Sequence, residues 1–186
     1  MKLGKYFAKD ELRDLIISVF IITVVFSYPN FDLFHFYLAA VVVGFVFHEL
    51  AHKFTAMRFG CASFFKMYPT GLLFGLVFML LGFKVVAPGA VLIYPFKFGR
   101  WGYRVSRLTV DEEGIIAFVG PATNLILAFA FLLIGTDWAN FISFVNANLA
   151  LLNLLPIPPL DGSKILKWRA WVWLLVFIIS FILVIW

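Results

Sequence analysis

The chain has 186 residues, of which 63% are hydrophobic and only 13% are charged, and its net charge is +5. Because an average soluble domain is about half apolar and about a quarter charged, this composition excludes an ordinary soluble protein and indicates a membrane protein with one domain, residues 1–186. The basic residues lie in short patches between apolar stretches, which is typical of cytoplasmic loops and argues against nucleic-acid binding.

The first half of the chain predicts two spans and a shorter inserted segment. Apolar runs at Leu15–Tyr28 and Phe36–Met57 are predicted to cross the bilayer. A third run, Thr70–Phe83, has 14 residues, fewer than the roughly 20 that a spanning helix needs, so it is predicted to enter the membrane and return. Val85–Pro95 is rich in β-branched residues and contains Pro-Gly, which predicts a small β-hairpin of strand, turn and strand.

The second half begins with a polar, basic segment, Phe96–Glu113. A span is predicted at Gly114–Ile134, and another begins near Phe141 and ends at a cluster of prolines that starts at Pro156. The last apolar run is Ala170–Trp186. The predicted fold class is therefore an all-α polytopic membrane helix bundle of about five to six spans, with a small membrane-associated β-hairpin or re-entrant element.

The distribution of charge favours one topology. If Thr70–Phe83 crossed the membrane, the basic segment Phe96–Glu113 would lie outside, against the positive-inside rule. If that run returns, every basic patch falls on one side, and the loops Pro29–His35 and Gly135–Asn140, which have no Lys or Arg, fall on the other. We therefore expect five spans, a re-entrant element and a cytoplasmic N-terminus.

His48-Glu49-Leu50-Ala51-His52 forms an HExxH pattern inside the second predicted span. Residues i and i+4 share a helix face, so both imidazoles can bind one ion, and zinc prefers such nitrogen ligands. Glu49 then lies where its carboxylate could take a proton from an attacking water. The alternatives are a chance match of the pattern and a buried histidine pair without metal. The buried pair would leave Glu49 unpaired in lipid, where ionisable groups are costly.

A catalytic zinc site needs a third protein ligand, for which the chain offers three candidates. His35 lies near the opposite membrane surface from His52 and is expected to be an interfacial side chain. Cys61, the single cysteine, lies beyond the end of the helix and is expected to be buried in apolar surroundings. Asp161 is the best candidate: at about 1.5 Å per residue His48 lies about 18 Å into its span, and the span from Phe141 brings Asp161 to a compatible depth. An ordinary loop aspartate is the alternative.

HELAH, GPATN (Gly120–Asn124) and NLLPIPPLDG (Asn153–Gly162), in this order, resemble the site-2 protease family of intramembrane zinc metalloproteases. The resemblance covers about residues 36–166, with no PDZ or CBS domain. It implies one Zn²⁺ held by His48, His52 and Asp161.

The resemblance also implies a catalytic base, Glu49, and a residue that positions substrate, Asn153. The expected partners are the bilayer and transmembrane segments of membrane-protein substrates, with a site toward the cytoplasmic side of a prokaryotic cell membrane; the oligomeric state is left open.

Other interpretations of the same residues stay open from sequence alone. The chain could be a zinc-binding or zinc-transport membrane protein without protease activity, although its outer half has few polar groups. Pro121 could simply kink a helix, with Asn124 bonding freed backbone groups. Asn148 and Asn153 could form hydrogen bonds between helices rather than contact substrate.

Overall fold

The computed structural model describes residues 7–99, 102–105 and 107–185. The first half contains four helices and two strands, with a 3₁₀ turn at Phe31–Leu33 before α2 and a π-helical turn at Val42–Val46 between α2 and α3. In chain order these elements are α1 Glu11–Ser27, α2 Phe34–Val41, α3 Phe47–Arg58, β1 Ala62–Met67, α4 Pro69–Leu80 and β2 Gly89–Tyr94.

The second half begins with two short strands that pair with each other and continues with four helices. The elements are β3 Phe96–Gly99, β4 Gly102–Val105, α5 Val110–Leu132, α6 Asp137–Asn153, α7 Asp161–Trp168 and α8 Ala170–Ile185. A capping box defines the start of α5: Thr109 Oγ1 accepts from the Glu112 N–H, and the Glu112 carboxylate accepts from the Thr109 N–H. Helix α5 lies centrally and packs against α3, α6 and α7.

Two helices in the described part of the chain are long and apolar enough to cross a membrane, judged by length and composition. One is the continuous helix Phe31–Arg58, of 28 residues, and the other is α5, of 23 residues. Helices α4 and α8 are apolar but shorter. The mostly helical class with a small antiparallel sheet is confirmed, whereas five to six spans stays a prediction.

The predicted hairpin within Val85–Pro95 is wrong, because only its second half is a strand. That strand, β2, pairs antiparallel with the earlier strand β1, from Ala62 opposite Tyr94 to Met67 opposite Gly89. Pro-Gly begins β2 instead of forming a turn. Gly89 has a φ of 154°, and a Cβ there would collide with the backbone of β1, so the close strand approach requires glycine.

The segment between the two strands, residues 68–88, doubles back on itself. It begins after Met67 and ends before Gly89, and these two residues are paired in the sheet. Helix α4 forms the outgoing arm, and its Gly71 and Gly75 lie directly against Val86 and Ala87 of the returning arm. A Cβ at Gly75 would come within 2.7 Å of Val86 Cγ2. The two glycines therefore let the returning chain pack closely on α4.

Two buried carboxylates of α1 attach it to β1 and α3. Glu11 forms an ion pair with the fully buried Lys53 of α3, with Nζ 2.6 Å from Oε2, and accepts from the Phe65 N–H at 2.9 Å. Asp14 accepts from the Met67 N–H at 3.3 Å. Both N–H groups belong to the side of β1 that faces away from β2. The carboxylates therefore cap that edge of the sheet.

Candidate metal centre

Three side-chain atoms of the types that bind metals converge between α3 and α7. His48 Nε2 and His52 Nε2 are 2.9 Å apart. Asp161 Oδ2 lies 3.1 Å from His52 Nε2 and 3.3 Å from His48 Nε2. All three side chains are largely buried. Of the three predicted third ligands, the structure thus brings Asp161 to the histidine pair.

Local structure explains how these side chains meet. His48 and His52 lie one turn apart on the same face of α3. After α6 the chain turns through a proline-rich loop, and Asp161 is the first residue of α7. Gly162 follows, where a Cβ would collide with the carbonyl groups at the end of α6. The glycine therefore allows the close turn that directs Asp161 toward the histidines.

The remaining ring nitrogens are bonded to α5. His48 Nδ1 lies 2.6 Å from Asn124 Oδ1, and His52 Nδ1 lies 2.6 Å from the carbonyl oxygen of Ile116. A backbone carbonyl can only accept, so Nδ1 of His52 carries the hydrogen and, in the neutral ring, Nε2 keeps its lone pair. Bonding the far nitrogen in this way is the usual arrangement for histidines that bind metals.

The donor set fits a metal ion. When each ring carries its hydrogen on Nδ1, two Nε2 lone pairs and a carboxylate oxygen face one another at 2.9–3.3 Å, and they repel each other unless a cation lies between them. Ligands of a tetrahedral zinc ion, with bonds of about 2.0–2.1 Å, lie about 3.3 Å apart.

Glu49 is buried beside this cluster, as its place next to His48 predicts. Within the described ranges, its Oε2 is a buried side-chain oxygen without a hydrogen-bond partner. The backbone N–H of Val91, in β2, faces the same carboxylate. An ionisable oxygen left open in this way is available to exchange a proton with a bound molecule.

A cavity of about 520 Å³ opens onto the cluster. Its wall includes His48, Glu49 and Asp161 on one side and most of β2 on another. Asn153 also lines it, while its Nδ2 donates to the carbonyl of Leu149 within α6 at 2.9 Å. The cavity therefore connects the candidate metal centre with a strand.

The other sequence candidates lie elsewhere. His35 is exposed and packs on the neighbouring ring of Phe36, with 4.2 Å between centroids. Cys61 is buried with Ala56 and Ile116, which confirms the expected apolar surroundings. Asn148 donates to the Phe144 carbonyl of its own helix at 2.8 Å.

Sequence reasoning missed the part that α5 plays at the centre. Ile116, Gly120 and Asn124 lie four residues apart, and this stripe of the helix covers both imidazoles. Asn124 stands out in the sequence as a polar residue in an apolar helix, but the sequence does not show that its partner is His48. A backbone carbonyl and a glycine gave no signal at all.

Comparison with known proteins agrees with this site. The sequence model of peptidase family M50 matches residues 135–175, which contain Asn153 and Asp161. A protein of Methanocaldococcus jannaschii, named a "putative zinc metalloprotease", is 40% identical over 182 residues, which cover 91% of this chain and 90% of the relative. The chain belongs to peptidase family M50.

Further relatives of this M50 chain carry the same description. YwhC of Bacillus subtilis is 30% identical and is aligned over 76% of this chain and 72% of its own length. Rip2 of Mycolicibacterium smegmatis is 28% identical over 70% of this chain and 55% of its own length. No solved structure matches the chain. These findings confirm the resemblance to site-2 proteases.

The close approach of α5 to the histidines generates a prediction for the M50 centre. At Gly120 a Cβ would collide with Nε2 of His52 and would lie 2.7 Å from His48 Cε1. We expect Gly120→Ala to displace both rings and to weaken zinc binding by about 10–100-fold, the range found when the groups that orient metal ligands are lost. Competition with a chelator measures this affinity.

Helix propensity alone would make Gly120→Ala more stable to unfolding, since alanine in a helix is more stable than glycine by about 0.5–1 kcal/mol. Ile126→Ala, at an exposed position of the same helix, serves as the control and is expected to bind zinc as the unmodified chain does. Equal zinc affinity of Gly120→Ala and the control would show that the rings tolerate a side chain there.

Proposed function

We propose that this chain is an intramembrane zinc-dependent endopeptidase that hydrolyses peptide bonds in or near transmembrane segments of membrane proteins. The observation that carries the proposal is the combination of His48, His52 and Asp161 in one buried cluster with the unpaired Oε2 of Glu49 beside it. In a cluster with only a structural role, a buried carboxylate oxygen without a partner would lower stability and bring no benefit. The family and the names of the relatives support zinc and proteolysis.

Each residue has a distinct part in the proposed reaction. His48, His52 and Asp161 hold one Zn²⁺, which when bound acidifies water and polarises a peptide carbonyl. Glu49 accepts the proton of the attacking water and passes it to the nitrogen of the leaving amine. Its open Oε2 leaves one acceptor for that proton. Water therefore has to reach the cavity.

The sheet supplies an open edge beside these groups. The N–H groups of Phe65 and Met67 in β1 donate to α1, so these residues do not bond across to β2. In an antiparallel pair, opposite residues behave alike. Val91, opposite Phe65, and Ile93, two pairs further on, therefore direct their N–H and C=O groups away from β1.

This open edge is the proposed binding site for the substrate backbone. A peptide bond in a transmembrane helix is shielded by its own turns, and each freed backbone group has to find a partner in lipid. An unwound segment that adds to β2 finds such partners, with little dependence on its side chains. The carboxylates of α1 close the other edge of the sheet. Asn153, on the cavity wall, is proposed to position the segment.

The proposed location is a prokaryotic cell membrane, with several spans and the active site toward the cytoplasmic side. Two helices of sufficient length and apolarity support insertion. The doubled-back segment 68–88 fits the re-entrant element that the charge distribution favours. Its arms begin and end at the sheet, which supports a topology with the segment after β2 on the side from which segment 68–88 entered.

Substitutions separate the base from the metal ligands. We expect Glu49→Gln to retain zinc and to abolish cleavage of a transmembrane reporter, because it removes the proton acceptor and no ligand. His48→Ala, His52→Ala and Asp161→Ala are each expected to lower zinc content, measured by elemental analysis of the purified protein. His35→Ala, remote from the cluster, is the control.

Full zinc content in Asp161→Ala would reject this residue as the third ligand. A chain that binds zinc, cleaves no reporter and moves zinc across liposome membranes would instead be a transporter. The flux assay is run on the unmodified chain and on Glu49→Gln side by side.

Along β2, residues whose N–H groups point away from β1 alternate with residues whose N–H groups bond to it. This alternation leads to a second prediction. Proline at Ile93 removes a donor from the open edge while the bonds between β1 and β2 remain. Proline at Val91 also removes the N–H that faces the Glu49 carboxylate, so Ile93→Pro is the cleaner test of the edge. Proline at Leu92 instead removes a bond to β1, since Leu92 pairs with Phe64 in the hydrogen-bonded set. We expect Val91→Pro and Ile93→Pro to impair cleavage at unchanged zinc content, measured on the same reporter.

Leu92→Pro is the matched control for backbone rigidity, and its main expected effect is lower thermal stability. Full cleavage by both Val91→Pro and Ile93→Pro would leave β2 without a part in substrate binding. In the same assay, reporters with helix-breaking residues near the cut are expected to be cleaved faster than a uniform leucine helix.

A further inference from the structure

Two fully buried amides connect the candidate metal centre with α6. Asn124 of α5 accepts through Oδ1 from His48 Nδ1 at 2.6 Å. Its Nδ2 donates at 3.0 Å to the carbonyl of Gly44 and at 3.0 Å to Oδ1 of Asn146. The amide of Asn146 in turn donates to the Ile142 carbonyl at 2.9 Å. Four helical segments therefore meet in one chain of hydrogen bonds.

The donor-to-acceptor direction of these hydrogen bonds is fixed by the backbone carbonyls at which they end. The carbonyls of Gly44 and Ile142 can only accept, so the NH₂ group of each asparagine has to face its carbonyl. The oxygen of Asn146 then faces Asn124, and the oxygen of Asn124 faces His48. A flipped Asn124 would place an oxygen against two acceptors in a buried site, where unpaired polar groups are costly.

Gly44, in the π-helical turn before α3, makes room for this arrangement. A Cβ at Gly44 would lie 2.6 Å from Leu149 Cδ1 and 3.3 Å from Asn146 Oδ1. The glycine thus lets α6 come close enough for Asn146 to reach Asn124. Turns of this kind occur often at functional sites. The hydrogen bonds thus join the π-helical turn, α3, α5 and α6.

We propose that Asn124, oriented by Asn146, is a positioning residue that holds His48 with its hydrogen on Nδ1 and the lone pair of Nε2 directed at the metal position. The inference rests on the proposed zinc function and goes beyond it, because it concerns the state of His48 before any ion binds. His52 receives the same constraint from the backbone of Ile116, which no substitution can remove. His48 depends on a side chain.

Nitrogen NMR of the metal-free full chain tests the tautomer directly. The chain has three histidines, so ¹⁵N-histidine labelling gives few signals, and His35→Gln identifies the one outside the site. We expect His48 to carry its hydrogen on Nδ1 in the unmodified chain. In Asn124→Leu this preference is expected to be lost, because the acceptor is gone.

Zinc affinity, measured by chelator competition, is the second readout. Asn124→Leu is expected to bind zinc about 10–100-fold more weakly, as when an outer hydrogen-bond partner of a metal ligand is removed. Asn124→Asp keeps an acceptor for His48 but sets its second oxygen against the Gly44 carbonyl and Asn146. It should lower thermal stability while its zinc affinity falls by less than about tenfold.

Two further variants complete the series. Asn146→Leu removes one of two bonds that orient Asn124, so its loss of zinc affinity should be smaller than that of Asn124→Leu. Asn148→Leu removes a matched amide, which bonds four residues back on the same helix and does not touch Asn124. It should bind zinc as the unmodified chain does.

The outcomes are distinct from those that bear on the proposed function. A chain that binds no zinc contradicts that function, while the tautomer of metal-free His48 is still measured. A neutral His48 with its hydrogen on Nε2 instead of Nδ1 in the unmodified chain would overturn the inference even if zinc binds. Equal losses of zinc affinity in Asn124→Leu and Asn124→Asp would also overturn it, since packing alone would then explain the effect. If Asn124→Leu fails to fold, Asn124→Asp and Asn146→Leu provide the comparison.

Discussion

Two imidazole nitrogens and a carboxylate oxygen face one another at 2.9–3.3 Å inside an apolar helix bundle. Such an arrangement is costly without a cation, because like partial charges are held together in a largely buried site where screening is weak. The rest of the site provides what this cluster needs. Helix α5 accepts from the far nitrogen of each histidine, Gly120 leaves room for the rings, and the turn at Gly162 brings Asp161 into reach.

The same need to satisfy buried polar groups shapes the sheet. Glu11 and Asp14 take up the N–H groups on one edge of β1, and Lys53 balances the charge of Glu11. The opposite edge, on β2, borders the cavity beside Glu49. The sheet is therefore asymmetric, with one edge closed by carboxylates of the chain itself and the other facing the candidate centre. This asymmetry favours the strand edge as the place where an unwound substrate binds.

Local patterns predicted part of this molecule. The spacing of His48 and His52 predicted their shared helix face. The entry and return of Thr70–Phe83 in a membrane stays a prediction. Contacts between residues far apart in the sequence were not predictable from local patterns. The partner of β2 lies more than twenty residues earlier, at Ala62–Met67, directly after a helix. Asn124 was visible as a polar residue in an apolar helix, but its bond to His48 depends on how α3 and α5 pack.

X-ray absorption at the zinc edge of the purified full chain tests the central claim most directly. The account predicts one zinc per chain, bound by two imidazole nitrogens and a carboxylate oxygen at about 2.0–2.2 Å, with the same spectrum in Glu49→Gln. Loss of the carboxylate oxygen is expected in Asp161→Ala. A sulfur ligand at about 2.3 Å, or a chain that retains no zinc after purification with the metal present, would contradict the account.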